Sequence, residues 1–299
     1  MMKLSHESKL RLGVGIGAFV LIIGLVFGIS RTLIHFDGPW DLDDVVSGLS
    51  GMDDVVDDDV LNDGGKYSAQ PQQLSSATFD ADEFRYLDFD IAAATVDVKV
   101  VDGNKVRVIE RGRVAKGVDA SKAATQNIAS VKDSALKISQ FRSDDGKAID
   151  RTVTVELPRR VAEHLKGANA HVRSGDLQIA GIICDGFDLF LDSGDVKFAG
   201  SVTDALSAEV GSGDATFELY QAPAKSMDAS VCSGDVEISV PNSTGFKASL
   251  TVGSGDFESD FLQLDYDGET ILNSEFDNGD KSATYRFKVG SGDMSFESV

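Results

Sequence analysis

Basic residues are scarce in this 299-residue chain: 28 Lys and Arg face 49 Asp and Glu, a formal net charge of −21. That balance argues against a surface that grips the phosphates of nucleic acid or of an anionic bilayer. Cysteine is nearly absent, with only Cys184 and Cys232, and without a CxxC or Cys/His cluster the two make neither a disulfide framework nor a zinc site. Five Pro and one Trp stand against 30 Gly and 17 Phe. The 42% hydrophobic content excludes wholesale disorder, and glycine is too sparse for collagen. No HExxH, GxSxG, Walker or Rossmann pattern occurs. The sequence therefore assigns no catalytic residue, no cofactor and no enzyme activity.

Charge is missing altogether from residues 12–30, which as a helix at ~1.5 Å per residue match a hydrocarbon core of about 30 Å. Lys3, Lys9 and Arg11 precede this run with only Glu7 opposing them, and after Arg31 no Lys or Arg appears until Lys66. The positive-inside rule places residues 1–11 in the cytoplasm and the remainder outside it. A cleaved secretory signal, with a small-residue site at Gly28-Ile29-Ser30, is the alternative; the run exceeds the about 7–15 residues of a signal's apolar region, which favours an uncleaved single-pass anchor. Gly13, Gly17, Gly24 and Gly28 share one stripe of that helix as two GxxxG pairs. They read either as a packing face, including one for a homo-oligomer, or as the ordinary glycine content of membrane helices.

Residues 31–76 read as an acidic stem and linker. Ten Asp and no Lys or Arg lie between 32 and 65. Leu42, Val45, Leu49, Met52, Val56 and Val60 recur at helical spacing, although Gly48 and Gly51 weaken the pattern. Such a segment either attracts a partner or calcium, or serves as a solvated spacer repelled by the anionic surface; the spacer is the simpler reading.

The tripeptide Ser-Gly-Asp occurs six times, at residues 174–176, 193–195, 212–214, 233–235, 254–256 and 291–293. Starts are 19, 19, 21, 21 and 37 residues apart, the last close to two units, a period that indicates stacked repeats. Two residues before each Ser stand Val172, Leu191, Val210, Val231, Val252 and Val289; three after it stand Leu177, Val196, Ala215, Val236, Phe257 and Met294. Every one is apolar, so each unit is strand, turn, strand with one buried face. The flanking apolar residues are five apart, an odd number that a continuous strand would send to opposite faces. The chain must turn there, as a hairpin pairing Leu191 with Val196, or as a solenoid corner with glycine at positive φ. Parity does not choose between them. Units stacked in register would bury a continuous core, and this favours an all-β solenoid of ~20-residue repeats. Gly175, Gly194, Gly213, Gly234, Gly255 and Gly292 are then its structural corners.

Thr152-Val-Thr-Val-Glu-Leu-Pro158, His171-Val-Arg-Ser-Gly-Asp-Leu-Gln-Ile179 and Val236-Glu-Ile-Ser-Val-Pro241, with the in-phase Ser-Gly-Asp units, resemble the bacterial putative-adhesin family of β-strand repeats, domain of unknown function 4097. The resemblance covers roughly residues 78–299. It implies an extracytoplasmic β-helix-like domain, common in membrane-anchored envelope proteins, with some relatives in envelope-stress systems, and it carries no catalytic residues to transfer. The expected repeat domain is 77–299, irregular over 77–165 and regular over 166–299; residues 112–134 read as a loop or short helix, and a turn is lost within 259–284.

A row of turn aspartates about 4.8 Å apart would repel itself. Calcium is one remedy, with Asp176, Asp195, Asp214, Asp235 and Asp256 as candidates; the preferred one is local, each carboxylate accepting N–H groups within its own turn while Ser caps its neighbour. Cys184 and Cys232 fall three repeats apart, about 14 Å at ~4.8 Å per rung, which predicts free thiols. His164 and His171 lack a metal-ligand spacing. The sequence thus points to a non-catalytic binding or sensing module of the bacterial cell membrane, N-terminus inside, meeting an envelope protein or wall polymer and no nucleic acid. A surface adhesin and a polysaccharide-active enzyme are the alternatives.

Overall fold

The computed structural model describes residues 65–140, 146–261 and 272–299. The anchor expected at 12–30 with its glycine stripe, the cytoplasmic segment and the stem up to residue 64 lie outside these residues. Among the described residues no helix is long and apolar enough to cross a membrane.

Alternation of buried and exposed side chains, broken where strands such as β10 bend, builds strands that stack in two parallel series. The first sheet runs β6 (Ala135–Gln140), β2 (Tyr86–Ile91), β8 (Leu165–Val172), the second half of β9 (Gly175–Leu191), the second half of β10 (Asp195–Val210), β12 (Ser226–Val231), β17 (Ala283–Val289) and β14 (Phe246–Val252). The second sheet runs β7 (Ala148–Pro158), β3 (Ala94–Val101), the first halves of β9 and β10, β11 (Asp214–Gln221), β13 (Asp235–Val240), β18 (Asp293–Ser298) and β15 (Phe257–Ser259). The bent strands β9 and β10 contribute to both series, so hydrogen bonding is continuous through one 18-stranded system. The solenoid-like stack, rather than the hairpin, is what the Ser-Gly-Asp turns build: Leu191 pairs with Val172 and Val210, not with Val196.

Like residues stack in register through the core. Leu177, Val196, Ala215, Val236, Met294 and Phe257 form one ladder, each nearly or wholly buried. Each such side chain contributes about 1.5–3 kcal/mol of burial where it is large. Phenylalanine fills the wider layers: Phe187 lies 4.8 Å from Phe198, and Phe246 stacks on Tyr285 at 5.0 Å.

Chain order and stacking order part at both ends. The pair β2–β3 sits between β6–β7 and β8–β9. The last pair, β17–β18, is inserted between β12–β13 and β14–β15. Open parallel ladders would template further strands, and antiparallel strands take up these ends: β4 (Lys105–Val114) on β7, β1 (Gln72–Asp80) on β4, β5 (Ala129–Lys132) on β6, and β16 (Leu272–Asn278) on β14. The loop between β4 and β5 is pinned by Glu110, fully buried, whose carboxylate takes Arg151 Nη1 at 2.7 Å, the Thr125 N–H at 2.8 Å and the Ser75 hydroxyl at 3.1 Å.

Three expectations need correction. The first strand begins at Gln72, inside the stretch read as stem, and residues 77–165 are not irregular, since they supply two regular rungs and their caps. Their corner after β2 has no Ser-Gly-Asp; there buried Gln140 accepts the Ala93 N–H at 3.0 Å. Positive φ is confined to Gly175 (107°) and Gly194 (97°) among the six turn glycines. The others are glycine because rungs touch backbone to backbone: a Cβ at Gly213, Gly234, Gly292 or Gly255 would lie 2.1, 1.8, 2.0 or 1.7 Å from the carbonyl oxygen of the glycine in the adjoining rung.

Candidate functional site

Each turn delivers its Asp to the outer face of the second sheet. Asp176, Asp195 and Asp214 are in register, as are Asp235 and Asp293. The expected intra-turn hydrogen bonds give way to bonds between rungs, because parallel stacking aims each aspartate N–H at the neighbouring rung. Asp214 Oδ1 accepts the Asp235 N–H at 3.2 Å, and Asp293 Oδ1 accepts the Asp256 N–H at 3.1 Å. Serines likewise meet across rungs, Ser254 Oγ lying 3.2 Å from Ser291 Oγ. For the calcium candidates, no group of three or more His, Cys, Asp or Glu that could hold a metal ion exists among the described residues.

The repeat pattern singled out the turn aspartates and missed the glutamates on the same face. Period-two alternation carries Glu237 and Glu258 two residues beyond their turn aspartates, and Glu218 and Glu297 four residues beyond theirs. Register lines up Thr216, Glu237, Ser295 and Glu258 in one row and Glu218, Ser239 and Glu297 in the next. Lys197, beside Thr216, is the base in these rows. Among the described residues none of these Asp and Glu side chains reaches a cation at ion-pair distance. The signal was legible, since residues 174–299 hold 23 Asp and Glu against 6 Lys and Arg, whereas 65–173 hold 15 against 18.

Burial first, and neighbouring acids second, shift five of these acids upward. Partial burial, then Asp176 and Asp214, raise the Asp195 carboxyl above its ordinary value; burial, then Asp214 and Asp293, raise Asp235. Glu218 and Glu237 rise chiefly through burial, as does Glu297, to which Asp260 and Glu237 add repulsion. This is a face of carboxylates held close to one another, with Lys197 as the counter-charge that acts on Asp195 and Glu237.

The outer face of the first sheet handles charge differently. Lys137 meets Asp88 at 2.8 Å, Arg173 meets Asp90 at 2.6 Å, Lys166 meets Asp185 at 2.7 Å and Lys225 meets Asp204 at 2.6 Å. Arg286 pairs with Asp228, with Nη2 at 2.9 Å from Oδ2. Each pair joins neighbouring rungs. His171, left without a role by the sequence, stands 3.3 Å from Asp192 and edge-on to Phe190, with centroids 5.1 Å apart.

Both cysteines are free. They are two strand spacings apart in the first sheet, not three, because β10 alone separates their strands, and they lie at opposite ends of those strands. Burial pushes the Cys184 thiol up to about 12, whereas Cys232 is exposed at a turn.

The family model described as Toastrack DUF4097 matches residues 90–297. A search of curated proteins finds no match. Among solved structures, a putative cell adhesion protein from Clostridium sporogenes is 11% identical over 77% of this chain and 100% of its own, with a TM-score of 0.43. A putative adhesin from Bacteroides fragilis is 17% identical over 77% of this chain and 98% of its own, with a TM-score of 0.42. A putative lipid binding protein from Parabacteroides distasonis is 14% identical over 76% and 98%, with a TM-score of 0.29.

Proposed function

The chain belongs to the Toastrack DUF4097 family, and from that premise we propose that it is a non-catalytic binding module of the bacterial cell envelope, tethered through residues 12–30 and displayed outside the cytoplasmic membrane. Its partner surface is the acidic outer face of the second sheet, and the partner is cationic there. One observation carries this reading: Asp195, Asp214, Asp235, Asp293, Glu218, Glu237, Glu258 and Glu297 share a sheet face and, among the described residues, none has an ion pair. Like charges in facing rows are destabilising, so folding alone gives no reason to gather them. A cationic partner would recover that cost on binding and would be steered to the face by its field. Signalling of envelope stress would proceed from such binding, with the membrane helix as the route inward.

The test is co-purification of the full-length protein from its own membranes, in wild type and in a Glu218→Gln/Glu237→Gln/Glu297→Gln variant. The reading expects a cationic partner that is retained by wild type at low salt, released at high salt and missing from the variant. An identical set of proteins from both forms would refute it. Protease added outside intact spheroplasts should remove the domain and spare residues 1–11.

A further inference from the structure

The first sheet carries a second surface of different chemistry. Most large apolar side chains of the described residues are turned into the core; of the exposed ones, Ile183 and Tyr220 lie elsewhere, and Tyr86, 43% exposed, and Phe190, 42% exposed, share this outer face. Tyr86 is in register with Gly167, and Gly167 with Gly186. Its ring leans over Gly167, where a Cβ would come within 3.2 Å of Tyr86 Cδ1, whereas a Cβ at Gly186 would meet nothing nearer than 3.8 Å. Beside the ring the surface is therefore open. Two residues further along the strands, Asn169 and Asp188 stand side by side and exposed. Neither side chain takes a hydrogen bond or an ion pair among the described residues. Two residues beyond them, His171 and Phe190 form the next pair.

We propose that Tyr86, Asn169, Asp188 and Phe190 form a binding site for an extended, uncharged glycan chain, a ligand class that rests on the binding-module reading above. A sugar ring offers an apolar C–H face to an aromatic ring and a rim of hydroxyls to groups that accept and donate. The rings of Tyr86 and Phe190 supply the first. The amide of Asn169 donates and accepts, and the Asp188 carboxylate accepts. Four residues along the strand at ~3.3 Å and two strands across at ~4.8 Å put the two aromatic positions roughly 16 Å apart, so the ligand is a chain of several sugars. Charge selects its class: Asp88, Asp90 and Asp185 around the patch are already matched by Lys137, Arg173 and Lys166. An anion would face Asp188 and Glu209, and a cation has the unmatched second sheet.

Calorimetric titration of the full-length protein, in a sugar-free detergent, with N-acetylglucosamine hexamer and cellohexaose tests the site. Saturable binding of at least one of them is expected. Tyr86→Leu, which still covers Gly167, Phe190→Ala and Asn169→Ala should each weaken it by more than about tenfold, the effect of losing an anchor at the centre of an interface, with the melting midpoint unchanged. No binding by wild type overturns the proposal, as does binding that all three variants retain. Binding that survives these variants but is lost in Glu218→Gln/Glu237→Gln/Glu297→Gln overturns the site and leaves the binding-module reading standing. Loss of the salt-sensitive cationic partner with intact glycan binding would do the reverse.

Discussion

The two outer faces of the stack are made by the same repeat and manage charge in opposite ways. On the first sheet, aspartates of one rung meet lysines or arginines of the next, as in Asp185 with Lys166 and Asp204 with Lys225. On the second, rungs from β10 onward set turn aspartates beside one another and glutamates in rows with Ser and Thr between them, with Lys197 as the base among them. A parallel stack amplifies whatever a position carries, because in-register neighbours repeat it every rung. Alternating signs then become a ladder of ion pairs, and a single sign becomes a field. The Glu110 carboxylate at the capped end shows that this chain can satisfy an acid fully when it buries one. The crowded face of the second sheet is thus a choice of surface chemistry, not a failure of packing.

The largest effect should come from breaking the turn that joins both faces. Gly234→Ala places a Cβ 1.8 Å from the Gly213 carbonyl oxygen, and backbone on both sides must shift; a cost of about 3 kcal/mol or more is expected. Denaturant titration should show gross destabilisation or no folded protein, while Gly186→Ala, with 3.8 Å to its nearest neighbour, stays within about 1 kcal/mol of wild type.

Acidification should sharpen the contrast next. Asp195, Asp235, Glu218, Glu237 and Glu297 have folded pKa values raised above their ordinary ones. They bind protons more readily folded than unfolded, so their stabilising contribution is complete below the unfolded pKa and is lost as pH rises through the folded one. Melting midpoints should therefore rise as pH falls from 7 into the range just above ordinary carboxylates. Asp185 on the first sheet is lowered by its hydrogen bond from Lys166, and its contribution fails only below that range.

Single neutralisations should then differ in sign. Glu237→Gln should stabilise by a few tenths to about 1 kcal/mol, because its carboxylate is partly buried and is repelled by Asp235 and Asp214. Asp185→Asn, which removes a matched partner of Lys166, should lower the midpoint slightly. Smallest of all, raising salt from low to moderate concentration should stabilise wild type by screening the second sheet, and the gain should shrink in Glu237→Gln.

Much of this stack was legible in the sequence. The Ser-Gly-Asp period and the odd spacing from Leu191 to Val196 gave the corners, and the apolar flanks gave the core ladder. Stacking order was not legible, since β17–β18 pairs with a rung 58 residues distant on one side and with the preceding rung in sequence on the other, and no local pattern encodes which ladder a strand joins. The N-terminal rungs hid because Gln140 and Ala93 do the work of a Ser-Gly-Asp corner. The reason expected for the turn glycines was incomplete: positive φ holds at Gly175 and Gly194, whereas close contact between rungs constrains all six. The acidic face was present in the sequence as glutamates two and four residues after the turn aspartates. It emerges only when the turns are stacked, because the repulsion acts between rungs.

The most direct test of that face is the pH dependence of the unfolding midpoint, measured side by side for wild type and Glu218→Gln/Glu237→Gln/Glu297→Gln. Wild type should gain stability from pH 7 to pH 5, and the variant should start higher at pH 7 and gain distinctly less. Parallel profiles, or a wild type that loses stability over this interval, would contradict a second sheet that carries its charge against its own folding.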